Sequence, residues 1–134
     1  AGAWLLDDTY NANPNSLRAG LEVLAAESGE RWLVLGDMGE LGPEAEALHA
    51  QAGEWALAAG VSRLFAVGRL APAAAQRFGC HGESFDSKTA LITRLAANLR
   101  PGVTVLVKGS RSSGMEQVVE ALLAAESAEA AKGN

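Results

Sequence analysis

The stretch that decides the fold is VTVLVKGSRSSG at residues 103–114. Residues 103–107 are β-branched or aliphatic, which favours a buried β-strand. A polar loop with two glycines follows at 108–114, and a helical pattern then runs from Met115 to about residue 125. A short apolar strand, a polar loop and a helix together form the repeating unit of an α/β protein.

The same unit recurs through the rest of the chain. Apolar runs at 4–6, 32–35 and 64–67 each precede a helical pattern, and 84–85 is expected to form a short edge strand before another helix. Asn13 with Pro14 predicts the start of the first helix, and Asp86 or Ser87 predicts the cap of the fourth. This alternation predicts an α/β fold: a doubly wound, mostly parallel, Rossmann-like sheet with helices on both faces.

Composition limits the classes of protein that fit. The chain has 134 residues, of which 49% are hydrophobic, so one domain at 1–125 is expected. The Ala-rich polar tail at 126–134 is predicted to be disordered. A net charge of −5 argues against a nucleic-acid partner, and no apolar run reaches the roughly 20 residues that membrane insertion needs. A single cysteine excludes an internal disulfide.

We therefore expect a cytoplasmic monomer. No signal peptide is visible. The chain also starts without Met, so we expect that it was either processed or cut from a longer protein, and we favour the cut.

Ligands of such sheets bind beyond the carboxyl ends of the strands, so the loops that follow the strands are the places to search. The first is DDTYNANP at 7–14. A carboxylate there can accept from a ribose diol, the ring of Tyr10 can stack, and Asn11 and Asn13 offer amide groups. The alternative is that these asparagines only cap a helix and turn the chain.

The second loop is GDMGELG at 36–42, where Asp37 and Glu40 could meet an amine or a metal. An ordinary loop with a solvated Glu explains that pattern equally well. The third loop, 108–114, has two cations, three hydroxyls and a helix start, which suit a phosphate or carboxylate. Its alternative is a solvated linker. It is not a Walker A loop, because Lys108 precedes its glycine.

The sequence lacks the residue patterns of zinc sites and of NAD enzymes. His49, His81 and Cys80 do not have the spacing of zinc ligands. An NAD enzyme would need a glycine-rich turn after the first strand. A stand-alone Rossmann-like or receiver-like binding module remains an alternative, although the third strand ends at Gly68 and Arg69 without a phosphoacceptor Asp.

The three motifs together resemble the C-terminal domain of the Mur ligases. The resemblance rests on DDTYNANP at 7–14, VLGDM with ELG at 34–42 and VKGSR with ME at 107–116, and it runs over residues 4–123. Among these ligases the chain is similar to those that add D-alanyl-D-alanine to UDP-N-acetylmuramoyl-tripeptide during peptidoglycan precursor synthesis. The Asp-Asn-Pro-Arg motif of the diaminopimelate-adding members is absent.

The resemblance implies a three-domain enzyme that forms an amide bond with ATP and Mg²⁺. An N-terminal domain would hold the UDP-sugar, and a central domain would carry the P-loop and the Mg²⁺ sites. This chain would be the lid, with no catalytic residue or metal ligand of its own and no activity when isolated. The residues implied to bind ATP are Asp8, Tyr10, Asn11 and Asn13. Those implied to face the cleft or the incoming dipeptide are Asp37, Glu40, Lys108, Ser110, Arg111, Ser112 and Ser113.

Overall fold

A computed structural model describes the backbone of residues 4–8, 13–39 and 41–132, and the side chains of 13–39 and 41–124. These residues contain a five-stranded sheet in the order β1-β5-β2-β3-β4, in which every neighbouring pair is parallel. The strands are β1 (Trp4–Asp8), β2 (Glu30–Leu35), β3 (Arg63–Val67), β4 (Gly82–Phe85) and β5 (Val103–Lys108). The last strand therefore lies between the first two.

The first and fourth helices begin at the caps that the sequence predicted. In chain order the helices are α1 (Pro14–Ala25), α2 (Ala45–Ala58), α3 (Pro72–Phe78), α4 (Lys88–Asn98) and α5 (Glu116–Lys132), with 3₁₀ turns at Gly42–Glu44 and Arg111–Ser113. The Asn13 side chain accepts from the Ser16 N–H at the start of α1, and Ser87 accepts from the Ala90 N–H at the start of α4. Both caps satisfy backbone donors that a helix leaves unpaired at its N-terminus.

Two apolar layers cover the sheet, one on each face. Leu33 and Leu35 of β2 pack in a cluster with buried residues of α1, α2 and α3. The alternate residues Trp32 and Val34 pack in a second cluster with residues of α4 and α5. This alternation follows from the two-residue period of a β-strand. The prediction of a doubly wound parallel sheet is confirmed.

The last helix is longer than the sequence predicted. α5 continues to Lys132, so 126–132 is helical in the structure and not the predicted disordered tail. The segment is rich in Ala and Glu, which are strong helix formers, and this composition favours a continued helix. The domain boundary near 125 stays a prediction. Within the described ranges, no helix is long and apolar enough to cross a membrane.

Candidate functional site

A cleft of about 870 Å³ opens at the carboxyl ends of β2, β3, β4 and β5. The loops that follow these four strands form its walls. The cleft lies where helices leave neighbouring strands toward opposite faces, which is where open α/β sheets bind ligands. Its charged and hydroxyl-bearing lining residues are Asp37, Arg69, Ser84, Asp86, Ser87, Lys88, Ser110, Ser112 and Ser113.

Asp37 joins three of the four loops. Its Oδ2 accepts the N–H of Arg69 at 3.0 Å, and its Oδ1 accepts those of Leu70 at 2.9 Å and Ala71 at 2.8 Å. Its backbone oxygen accepts the Ser110 N–H at 3.1 Å. The carboxylate of Asp37 thus pairs with the N–H groups of the three residues that lead from β3 into α3, a helix whose N-cap makes no side-chain hydrogen bond of its own.

Gly68 makes this arrangement possible. Its φ is +127°, and a Cβ there would overlap the carboxylate of Asp37. An L-residue would therefore be strained at this position and would also push the carboxylate away from its donors. The carboxylate of Asp37 is committed to backbone N–H groups, so its described role is to fix the shape of the cleft.

His49 holds the next residue of the same loop. Its ring is fully buried, and its Nε2 accepts the Met38 N–H at 2.9 Å. A backbone N–H can only donate, so the proton of the ring is on Nδ1, which donates to the Ala45 oxygen at 2.6 Å. His49 is thus a satisfied core histidine that supports one wall of the cleft.

Serine residues 110, 112 and 113 form a compact turn beside the loop that follows β2. The hydroxyls of Ser110 and Ser112 are 3.0 Å apart, and the Ser113 hydroxyl donates to the Ser110 oxygen at 2.7 Å. Lys88, the first residue of α4, donates from Nζ to the Ser113 oxygen at 3.0 Å. One side chain therefore ties the loop after β4 to the loop after β5.

Some of the predicted site residues line the cleft in the structure, and others do not. Asp37 and the three serines line the cleft, whereas Arg111 is exposed and is not among its lining residues. Lys108, predicted to begin the loop, is the last residue of β5, and its side chain is fully buried. It pairs in register with Asp8 of β1 on one side and Leu35 of β2 on the other.

The loop after β1 is described only at its two ends. Asp8 is the last residue of β1, and Asn13 forms a capping box with Ser16. The capping alternative for Asn13 is therefore the one that its described contacts support. Tyr10, Asn11 and Glu40 lie outside the described residues.

Three charged residues of the cleft were not singled out from the sequence: Arg69, Asp86 and Lys88. All three lie in loops or at a helix start just after a strand end. The rule that ligands bind beyond the carboxyl ends of strands therefore applied to these residues as well. Asp86 was considered only as a possible helix cap. Lys88 gave no local signal, because its importance depends on Ser113, which is 25 residues away.

The described residues do not fit a metal centre. Within 13–39 and 41–124, no group of three or more His, Cys, Asp or Glu side chains could hold a metal ion. The carboxylate of Asp37 on the cleft wall already accepts three N–H groups. We therefore derive no step through Mg²⁺ from this domain.

Known proteins are similar to this chain in sequence. Residues 1–111 match the family described as Mur ligase, glutamate ligase domain. An Escherichia coli (strain K12) relative, UDP-N-acetylmuramoyl-tripeptide–D-alanyl-D-alanine ligase, is 53% identical over 88% of this chain and 26% of its own length. The Mycobacterium bovis protein of the same name is 38% identical over 92% of this chain and 29% of its own length.

Solved structures agree with these relatives. MurF from Acinetobacter baumannii superposes with a TM-score of 0.78 at 33% identity, covering 90% of this chain and 28% of that one. MurF ligase from Thermotoga maritima in complex with ADP gives a TM-score of 0.76 at 28% identity, covering 90% and 28%. The chain thus spans under a third of the length of these relatives. The resemblance predicted from the motifs is confirmed, and the chain belongs to the Mur ligase family, in which it corresponds to the glutamate ligase domain.

Proposed function

We propose that this chain is the C-terminal domain of an ATP-dependent ligase that adds D-alanyl-D-alanine to UDP-N-acetylmuramoyl-tripeptide. The observation that carries the proposal is the 53% identity, over 88% of the chain, to the Escherichia coli ligase of that name. The cleft supports it, since hydroxyls and a cation at strand ends suit a small polar substrate with a carboxylate.

The reaction divides the work between domains. ATP transfers its γ-phosphoryl group to the carboxylate of the tripeptide, which gives an acyl phosphate and ADP. The amine of the dipeptide then attacks that carbonyl, forms the amide bond and releases inorganic phosphate. In our proposal, a central domain holds the phosphates and Mg²⁺. The C-terminal domain, which is this chain, brings the amine to the acyl phosphate.

Closure is the physical contribution of the domain. A lid that excludes water protects the acyl phosphate from hydrolysis, and it orients the amine, which favours attack through proximity. We propose that Asp8 contacts the ribose of ATP and that Tyr10, Asn11 and Asn13 lie around the nucleotide. Asp37, Glu40, Lys108, Ser110, Arg111, Ser112 and Ser113 belong to the proposed dipeptide side, where Asp37 acts by positioning the loops.

The test is ligation by the full-length enzyme. We expect release of ADP and phosphate that depends on both UDP-N-acetylmuramoyl-tripeptide and D-alanyl-D-alanine, with the extended product seen by mass spectrometry. Diaminopimelate, D-glutamate and L-alanine serve as competing amines. Use of one of these amines in preference to the dipeptide would overturn the proposal.

The isolated chain provides the complementary measurement. Because it has no P-loop, we expect it to fold without ATPase or ligase turnover. Release of ADP above background by the pure chain would contradict this expectation. Chemical-shift mapping with ATP and the dipeptide would show whether residues 8–13 and 108–113 bind before the central domain closes on them.

A further inference from the structure

We propose that Lys88 binds the free carboxylate of the incoming amino substrate and so determines the preference of the ligase for a substrate that ends in a carboxylate. The inference rests on the proposed function and adds to it a residue that the sequence motifs do not contain. It concerns substrate selection and not the chemical step.

The first argument is the fixed position of the Lys88 ammonium. Nζ donates to the Ser113 backbone oxygen at 3.0 Å, and the side chain is half-buried on the cleft wall. A Cβ at Gly114 would lie 2.8 Å from Nζ, so the glycine leaves the space that the ammonium occupies. An ammonium has three N–H donors. In the described part of the chain one of them has a protein acceptor, which leaves two for a ligand.

The second argument is the lack of an ion pair. Among the described residues, Lys88 has no carboxylate within salt-bridge distance, although Asp37 and Asp86 also line the cleft. The carboxylate of Asp37 is occupied by three backbone donors. None of the described carboxylates therefore neutralises the charge of Lys88, and a substrate anion can pair with it.

The other cations near the cleft are placed less well. Lys108 is fully buried in the sheet, and Arg111 is exposed outside the lining. Arg69 lines the cleft but is exposed, and no contact of its guanidinium group is described. A side chain that is already held in place loses less conformational entropy on binding than a free one. Lys88 is the pre-organised cation of this set.

The anion that would pair with Lys88 is the terminal carboxylate of the dipeptide. A dipeptide that attacks through its amine keeps its terminal carboxylate unreacted and charged throughout. An ammonium–carboxylate hydrogen bond is charge-assisted and stronger than a neutral one. The hydroxyls of Ser110 and Ser112 are 3.0 Å apart, so one donates to the other and one hydroxyl hydrogen of the pair stays available for a ligand.

The experiment compares D-alanyl-D-alanine with its C-terminal amide in the full-length ligase. In Lys88→Met, we expect kcat/KM for the acid to fall roughly 10- to 100-fold, as for loss of one hydrogen bond to a charged group. For the amide we expect a change of less than about 3-fold. The ratio of acid to amide is the readout, because a merely structural role would lower both rates alike.

Two further variants complete the design. Lys88→Gln keeps N–H donors on a slightly shorter side chain but has no charge, so it should lose the acid preference even if Lys88→Met does not fold. Arg77→Met removes one positive charge from the outer face of α3, where Arg77 pairs with Glu54, and should keep the wild-type ratio.

Three results would overturn the proposal: an unchanged acid-to-amide ratio in Lys88→Gln, no preference for the acid in the wild type, or loss of the preference in Arg77→Met as well. A wild-type enzyme that ligates another amine and not the dipeptide would instead contradict the proposed function.

Discussion

Replacement of Asp37 by Ala tests whether one carboxylate holds the walls of the cleft together. The substitution removes the acceptor of three backbone N–H groups, those of Arg69, Leu70 and Ala71. The Arg69 N–H is exposed and can bond to water instead, so its loss costs little. The other two bonds are part-buried, and Ala71 is fully buried.

The expected cost follows from these environments. Each part-buried bond contributes about 1–1.5 kcal/mol, near the typical net value, because solvent access reduces the benefit of the charge. We therefore expect Asp37→Ala to lower the free energy of unfolding by about 2–3 kcal/mol. For a domain of this size, that corresponds to a decrease in Tm of roughly 6–12 °C.

The assay is urea unfolding of the 134-residue chain, followed by circular dichroism. The midpoint should fall while the slope m stays constant, since the surface exposed on unfolding does not change. Asp37→Asn keeps one carbonyl acceptor and should lie between wild type and Asp37→Ala. Asp86→Ala removes a carboxylate from the same cleft, one that has no described partner, and should stay within about 0.5 kcal/mol. If Asp37→Ala and Asp86→Ala unfold at the same urea concentration, the bridging role of Asp37 is refuted.

Two other substitutions test the packing and the charges around the sheet. Gly53→Ala places a Cβ against the Ala74 backbone oxygen of α3, so we expect destabilisation of about 1–3 kcal/mol despite the better helix propensity of Ala. Thermal unfolding measures the effect, with substitution of the exposed Gln51 by Ala as the control. A Gly53→Ala variant more stable than wild type would contradict the expectation. The hydrogen bond from Arg94 lowers the pKa of Glu83, burial opposes this, and Arg63 lowers it further. A lowered pKa in the folded state stabilises the protein above the unfolded pKa of about 4.3 and loses that contribution as the pH falls through the folded value. Glu83→Gln should therefore flatten the decline of stability below about pH 4.5, and urea midpoints that decline in parallel with wild type would disprove it.

Local structure was largely predictable from the sequence. The caps at Asn13 and Ser87 and the apolar runs of the strands are signals within a few neighbouring residues, and the structure follows them. Strand order was not predictable, because the position of β5 between β1 and β2 depends on pairing between distant segments. The length of α5 was missed because the sequence analysis weighed the polar character of 126–132 and not the strong helix propensity of its Ala and Glu residues.

The site was predictable only in part. Asp37 and the serines after β5 were found because each follows a strand end. Lys88 was not singled out because the observation that draws attention to it is a contact with Ser113 in another loop. For Lys108, a difference of one residue at the end of β5 decides whether the side chain is in a loop or buried in the sheet, and sequence patterns do not locate element ends that finely.

The place of β5 in the sheet has a consequence for biosynthesis. In the described sheet β1 pairs with β5 alone, and the register joins Trp4 to Thr104, residues separated by almost the whole domain. A nascent chain that emerges N-terminus first therefore holds β1 without a hydrogen-bonding neighbour until 103–108 leave the ribosome. Such long-range pairing slows folding and leaves an apolar strand accessible in the meantime. A fragment that ends before residue 103 would thus lack the partner strand of β1 and be prone to aggregation.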